Sequence, residues 1–579
     1  MSQLDRRAFL RAAAYGSALA TLRLGSGCSD DDVADRTFPQ GVASGDPTPD
    51  GVLLWTRVEA ASRVRYEVAR DDAFRDVVAS GDAEVSATRD RTVRIDIGGL
   101  AAGTAYWYRF VAIGEGTAYG VVSPVGRTRT APAPDADVPV RIALASCQDF
   151  AGRWFHAWRA LLDRDDVDLV LFIGDYIYET VGHLGVAPPP ERTLELPDGM
   201  ALDDPLKGDR AAVTLEDYRA LYRQYRRDPD LRAAHARFPF VTIWDDHEFA
   251  NDCWQDHATD FDDRMGDELR TERREAATRA WYEHHPIRRP YEPGAGFPGD
   301  LSVQRALRWG RHVELVLLDE RYHRDDHLVA EGPVDKPVGH FLQNSAFGSR
   351  TFVIKSAFDE REAAARPTML GDAQRAWAIE AVNGSTATWK LLASPLVMAQ
   401  MVIDLSAYES LPEMFRQRFY FKTDQWDGFR SERRALLEAC AGVENLVVLS
   451  GDLHGFYAAE LHADFDAPGE PLAVEFAVSA ISAPTIDVQL TDVVAQTPIL
   501  NALGLGALIP QFDANLLAAN PHFGHAESRR NGLAIIDVSA TEVQATFVEV
   551  GDVTRPSGGI AREVRFRTLA GSRRVESLG

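Results

Sequence analysis

Four short apolar runs, each giving way to residues that bind metals or move protons, constrain this chain more than any other feature. Val140–Ala145 runs into Ser146-Cys147-Gln148, and Leu169–Ile173 into Gly174-Asp175-Tyr176-Ile177-Tyr178. Phe240–Ile243 runs into Trp244-Asp245-Asp246-His247-Glu248, and Leu446–Leu449 is followed by Gly451-Asp452-Leu453-His454. Mostly apolar runs of this length read as strands buried on both faces. In open α/β sheets, binding and catalysis collect beyond the carboxyl ends of such strands. Cys, Asp, Tyr, Asn and His converging there can hold metal ions, which reads as a metallohydrolase.

From Val138 onward, strands alternate with helical stretches at Trp154–Leu162, Asp263–Trp281, Gln374–Val382 and Ser431–Ala441. That alternation predicts an α/β core. Further strands are expected at Val313–Leu318, Trp389–Ala393, Leu472–Val478, Leu533–Val538 and Val543–Val548. The late ones lack intervening helices, which predicts a second, mostly antiparallel sheet packed on the first. Upstream, Val64, Tyr66 and Val68 alternate with polar neighbours, as do Val93, Ile95 and Ile97, and Tyr106, Tyr108 and Phe110. Residues 38–130 therefore read as a small all-β module, followed by a Pro- and Asp-rich linker at 131–137. The catalytic α/β domain is expected over 138–553, with a tail at 554–579 in which Val564 and Phe566 alternate as in an edge strand. Gly182–Thr214 and Asp325–Pro367 are long and irregular, as rims or lids over a site are.

The net charge of -25 argues against stable binding to nucleic acid or an anionic membrane, which needs basic surface. Residues 1–30 are set aside from the fold as a targeting segment: Asp5-Arg6-Arg7-Ala8-Phe9-Leu10-Arg11 matches a twin-arginine signal, with Ala12–Leu22 weakly apolar. The expected partner of this segment is the twin-arginine export machinery, and the expected location is periplasm, cell surface or medium. Leu24-Gly25-Ser26-Gly27-Cys28 loosely resembles a lipoprotein cleavage site, with a lipid anchor at Cys28. No other segment approaches the ~20 apolar residues of a membrane span. Beyond Cys28, Cys147, Cys253 and Cys440 leave no paired disulfide framework. Cys253 and Cys440 read as core residues, whereas Cys147 stands at a strand end among other ligands.

Asp175 and Tyr178, three apart, pair a carboxylate with a phenol whose ordinary pKa is ~10, so only a strong Lewis acid ionises it. With the Cys147 thiolate added, ferric iron is the natural ion. Asp245, Asp246, Glu248, Asn251 and Asp252 crowd oxygen ligands into a short stretch that suits calcium or another hard divalent ion, and some of these acids are expected to be structural. Asp452 and His454 can close the site. Asp175 is the natural bridging carboxylate, His247 a proton donor to the leaving alkoxide, and Arg321 a bidentate partner for phosphate oxygens or a salt bridge to Asp319 or a neighbour.

These residues carry a family resemblance. The chain resembles the PhoD-like alkaline phosphatases of the calcineurin-like metallophosphoesterase superfamily, through the four motifs and through Gly41–Pro47, Leu54-Trp55-Thr56-Arg57, Met369-Leu370-Gly371 with Gln374 and Trp377, and Trp426-Asp427-Gly428. The resemblance implies an exported phosphatase with a four-layer αββα metallophosphoesterase core preceded by a fibronectin type III-like sandwich. It implies hydrolysis of phosphomonoesters and phosphodiesters at alkaline pH with Fe3+ and Ca2+. By the same likeness Cys147, Asp175 and Tyr178 match the iron motif, Asn251 the divalent site, and Asp452 and His454 the last metal motif. Asp246 and His247 stand where related phosphoesterases have an Asn-His pair. Two departures accompany the likeness: Leu392-Ala393-Ser394-Pro395 lacks the His that relatives supply, and Asn251-Asp252 replaces a second Asn. A phosphodiesterase or phospholipase D-like enzyme is the alternative, and a non-catalytic surface metal-binding protein the second. Which of Asp245, Asp246 and Asp252 touches metal stays open.

Overall fold

The apolar runs become strands because their alternate residues serve two different cores. In a computed structural model, which describes residues 30–182, 188–196, 198–202, 208–258, 268–329, 350–496, 501–502 and 504–579, Val140–Ala145, Leu169–Phe172, Pro239–Thr242 and Leu446–Ser450 are strands with almost every residue buried. Ile142, Leu144, Leu171 and Val241 point into a cluster shared with Leu315, Leu391, Val447 and Phe476 of a second sheet. Their neighbours Ala143, Val170, Phe172 and Phe240 point the other way, onto Trp158, Leu221, Leu231 and Trp281 from helices. On the outer face of the second sheet, Val316, Leu392 and Val448 meet Ala378, Leu436, Leu437 and Leu490. Each buried Leu or Val contributes about 1.5–3 kcal/mol, so a polar residue at any of these positions is strongly disfavoured.

The first sheet has ten strands, in the order Glu576–Ser577, Ile560–Leu569, Glu542–Val550, Gly532–Val538, Val140–Ala145, Leu169–Phe172, Pro239–Thr242, Val42–Thr48, Gly51–Arg57 and Thr92–Ile97. Val140–Ala145, Leu169–Phe172 and Pro239–Thr242 are parallel neighbours at its centre. The second sheet has seven, in the order Arg305–Trp309, Val313–Leu317, Trp389–Ala393, Leu446–Ser450, Ala473–Ala477, Phe456–Leu461 and Phe523–Glu527. Its four middle strands, Val313–Leu317 through Ala473–Ala477, pair parallel. This differs from the expected antiparallel second sheet. Ala473–Ala477 joins the parallel strands, whereas Gly532–Val538 and Glu542–Val550 pair antiparallel onto the first sheet. Strand spacing along the chain carries no information on which sheet a strand enters, because both sheets offer it a buried face.

The N-terminal strands also join the first sheet. Val42–Thr48 pairs parallel with Pro239–Thr242, through Ser44 opposite Pro239 and Gly45 opposite Phe240. A separate four-stranded sheet, Val77–Glu84, Arg63–Ala69, Ala105–Ile113 and Gly126–Arg129, packs on this extension through Val64, Val68, Tyr106, Tyr108 and Phe110. Ionic ties reinforce the join: Asp90 meets Arg57 at 3.1 Å and Arg223 at 2.7 Å, with the His284 ring 3.2 Å away. The tail residues Val564 and Phe566 lie in Ile560–Leu569, which has strands on both sides and is therefore internal rather than the edge.

Of the helices, Leu215–Tyr225 starts with a reciprocal capping box between Thr214 and Asp217 and buries Tyr218, Leu221, Tyr222 and Tyr225. Among the described residues no helix is long and apolar enough to cross a membrane. The twin-arginine motif and Cys28 lie outside the described residues, as do parts of Gly182–Thr214 and Asp325–Pro367.

Candidate metal centre

Four loops meet where the strands of both sheets end, and they reach that geometry through unusual backbone. Cys147, Asp175, Asp452 and His454 have φ of 57°, 58°, 59° and 47°. Side chains avoid this left-handed region at a cost on the order of 1–2 kcal/mol each, so the surroundings must over-determine it. They do. Cys147 N–H donates to Gly174 O at 3.1 Å, and Ala483 N–H to Cys147 O at 3.2 Å. Glu248, buried, accepts from the backbone N–H groups of Asp175, Tyr176 and Asp245 at 3.0, 2.7 and 2.9 Å. It is a clasp between two motif loops rather than a solvated acid. Gly174 permits the approach, since a Cβ there would lie 2.5 Å from Asp245 Cβ, and one on Gly451 would lie 2.6 Å from Ser146 Oγ.

The loops bring Cys147, Asp175 and His454 together with ligand atoms all within 4.8 Å of one another. The Tyr178 hydroxyl completes the group, 3.2 Å from Asp175 Oδ2 and 3.3 Å from His454 Nε2. His454 Nδ1–H donates to Pro484 O at 2.6 Å, which leaves Nε2 facing the group as a lone-pair donor. Burial pushes its pKa down to about 4, so the ring is neutral. Burial, then the neighbouring Asp175 carboxylate, pushes the Cys147 thiol and the Tyr178 phenol well up. Asp175 is likewise pushed well up by burial, with Asp246, Glu248 and Asp452 adding to it and His247 opposing. Among the described residues no Lys or Arg forms an ion pair with Asp175. Thiol, phenol, carboxyl and neutral imidazole therefore converge in one buried group, and a metal ion that displaces the thiol and phenol protons suits that donor set.

Asp175 also groups with Asp246 and His247, and Asp246 in turn with Asp245 and Asp452, and with Asp252 and Asp424. Asp246 is fixed by the N–H groups of His247 and Asp252 at 2.9 and 2.6 Å. Asn251 stands beside this group, its backbone N–H on Glu179 Oε1 at 2.8 Å. Lys422 Nζ lies 3.3 Å from Asp252 and 3.7 Å from Asp452, whose second partner is the Gln425 amide.

His247 keeps partial exposure while its Nδ1 meets the buried Glu179 Oε2. Burial works against a proton on His247, but Glu179, Asp175 and Asp246 together hold its pKa well above the usual imidazole range. Arg321 differs from the expectation that it faces phosphate oxygens. It is fully buried, with Nε 2.5 Å from Asp245 Oδ1 and the other nitrogens 3.1 Å from Asp424 and 3.6 Å from Asp246. A guanidinium facing three aspartates in a dry interior is held there by charge. Ser394 donates to Glu320 Oε1 at 2.7 Å and to Leu396 O at 2.6 Å.

Sequence reasoning thus located the loops that converge but missed Glu179, Lys422, Asp424 and Gln425. Glu179 sits directly after a quoted motif, a signal that was available. Lys422 ends the strand Arg418–Lys422 and Asp424 and Gln425 come just after it, so the short run Phe419-Tyr420-Phe421 held a signal that went unread.

Comparison with known proteins points in one direction. The sequence family described as PhoD-like phosphatase matches residues 142–547, and its N-terminal domain family matches residues 25–132. Alkaline phosphatase D of Bacillus subtilis (strain 168) is 29% identical over 599 aligned positions, 99% of this chain and 89% of that protein. A solved structure described as that of PhoD superposes with a TM-score of 0.71 at 27% identity, covering 94% of this chain and 92% of that one.

Proposed function

Since the chain belongs to the PhoD-like phosphatase family and is a phosphoric ester hydrolase, we propose that it is an exported enzyme that hydrolyses phosphomonoesters and phosphodiesters at alkaline pH with ferric iron and calcium. The observation that carries this reading is the meeting of Cys147, Asp175, Tyr178 and His454, four side chains of metal-ligating type, in one buried group. Those four residues would hold the iron, because thiolate and phenolate form under a strong Lewis acid. Asp175, Asp246, Asn251 and Asp452 would hold the divalent ion, and their oxygen donors suit calcium.

When bound, the metals supply positive charge for phosphate oxygens and lower the pKa of a water. The chain's own residues do the rest. Glu179 orients His247, whose free Nε2 delivers a proton to the leaving oxygen. Arg321 braces Asp245, Asp246 and Asp424 and acts through them, as a positioning residue. The two sheets with their outer helices support the four-layer αββα reading, and residues 38–130 the fibronectin type III-like sandwich. Twin-arginine export and a lipid anchor at Cys28 belong to the same proposal.

The test is metal analysis of the natively exported protein, with turnover of p-nitrophenyl phosphate and bis-p-nitrophenyl phosphate before and after chelation. Iron with calcium and chelator-sensitive turnover of both esters is expected, and the ratio of rates ranks monoester against diester. Bound metal with turnover of neither ester would overturn the reading.

A further inference from the structure

We propose that the protein binds a small monovalent anion, of the size and charge of chloride, beside Arg226. The site lies in the seam between strand Gly51–Arg57 and the helices Leu215–Tyr225, Pro229–Arg237 and Thr271–His284.

Arg226 follows the last turn of Leu215–Tyr225 and is 1% exposed. Its guanidinium carbon lies 4.2 Å from the Trp55 ring centroid and 5.6 Å from that of Tyr176. One of its nitrogens, Nη2, donates to His235 Nε2 at 3.4 Å, whereas Nε and Nη1 have no hydrogen-bond partner. Among the described residues no carboxylate lies within ion-pair distance of it. Arg321, Arg324 and Arg350, buried as deeply, each face an aspartate. Arg226 stands apart from them.

The surroundings are rich in donors and poor in acceptors. Among the described residues the buried Tyr222 hydroxyl has no hydrogen-bond partner, and the Tyr108 and Ser44 hydroxyls face only each other. His235 Nε2 takes hydrogens from both the Tyr176 hydroxyl, at 2.8 Å, and Arg226, so its hydrogen is on Nδ1, which also has no acceptor. Among the described residues His285 Nε2 is an acceptor nearby without a partner, since His285 Nδ1–H donates to Trp281 O at 2.8 Å. Tyr176 and Tyr222 hold this histidine between them, with centroids 4.8 and 5.5 Å from its ring.

Buried polar atoms that lack a protein partner are normally met by ordered water or an ion. Here charge selects between the two. Water would accept from the orphaned donors but leave the guanidinium uncompensated in a low-dielectric interior, whereas an anion answers both needs. The aromatic walls stand close, with Trp55 4.2 Å from the guanidinium carbon, which favours a small halide over a polyatomic oxyanion. The site is separate from the candidate metal centre, although Tyr176 directly follows Asp175 and connects the two.

The test uses the full-length protein. Crystals soaked in sodium bromide are expected to show an anomalous difference peak beside Arg226 Nε and Nη1. The Tm is expected to rise and saturate as chloride replaces gluconate at constant ionic strength. Arg226→Gln is expected to lose both the peak and the chloride-dependent shift. If that variant does not fold, the wild-type bromide map decides alone. A full-occupancy water at Arg226 with no anomalous signal, bromide at the metal centre only, or identical Tm in the two salts would each overturn the proposal.

Discussion

Glu179 Oε2 lies 2.7 Å from His247 Nδ1, and the carboxylate is completely buried while the imidazole keeps one edge toward solvent. A buried carboxylate in this position fixes the tautomer and the ring plane, leaving Nε2 for chemistry. Glu179→Gln retains the shape and removes the charge. Turnover of p-nitrophenyl phosphate by this variant is expected to fall ~10–100-fold in kcat with iron content unchanged. Equal loss of iron and kcat would reassign Glu179 to holding the metal loops.

The Cys147 and Tyr178 donors make a spectroscopic prediction, which rests on the proposed iron. Cys147→Ser is expected to weaken iron binding by ~10-fold or more, and Tyr178→Phe to abolish the phenolate-to-iron absorption in the visible range. Metal analysis and an absorption spectrum on each variant check both outcomes. An unchanged spectrum in Tyr178→Phe would remove Tyr178 from the coordination sphere.

Arg321 supplies the charge that allows Asp245, Asp246 and Asp424 to share one buried region. Arg321→Met leaves them facing one another and is expected to destabilise the chelated protein by ~3–5 kcal/mol in urea unfolding. Arg321→Lys is expected to recover only part of this, because a point charge cannot span three carboxylates as the planar fork does.

His522 predicts a pH dependence of stability away from the metal centre. Burial against Phe465 and Phe523 pushes its pKa down to about 3, and Nε2–H donates to Gln400 O at 2.8 Å. The unfolded chain titrates this group near ~6.5, so it takes up the proton first as pH falls. Stability is therefore lost below ~6.5 and continues to fall toward the folded value, with a slope of up to ~1.4 kcal/mol per pH unit. His522→Gln removes that slope. Between pH 7 and pH 5 the variant is expected to gain ~2 kcal/mol relative to wild type, and equal slopes in denaturant titrations would refute the assignment.

The strands that carry the motifs were legible because burial on both faces leaves a local trace, a short run in which nearly every residue is apolar. Trp389–Ala393 and Val140–Ala145 fall where their apolar residues predict. The site was legible to the same extent, since four such runs each end in residues of metal-ligating type rather than in turn residues alone. What was not legible has no local trace. Arg321 reads equally as a phosphate ligand or a salt-bridge partner until Asp424, 103 residues away, is placed beside it.

Sequence alone determined the α/β class, the buried parallel strands and the loops in which the candidate metal ligands lie, because hydrophobic periodicity and strand-end chemistry are encoded over a few neighbouring residues. Only the tertiary structure decided that Gly532–Val538 and Glu542–Val550 extend the first sheet, that Glu248 clasps two loops, and that Cys147, Asp175, Asp452 and His454 adopt left-handed backbone. It also left Arg226 without an acid while giving Arg321 three. Sheet pairing, backbone strain and the balance of buried charge depend on groups brought together from distant parts of the chain, and no stretch of sequence records which partner will arrive.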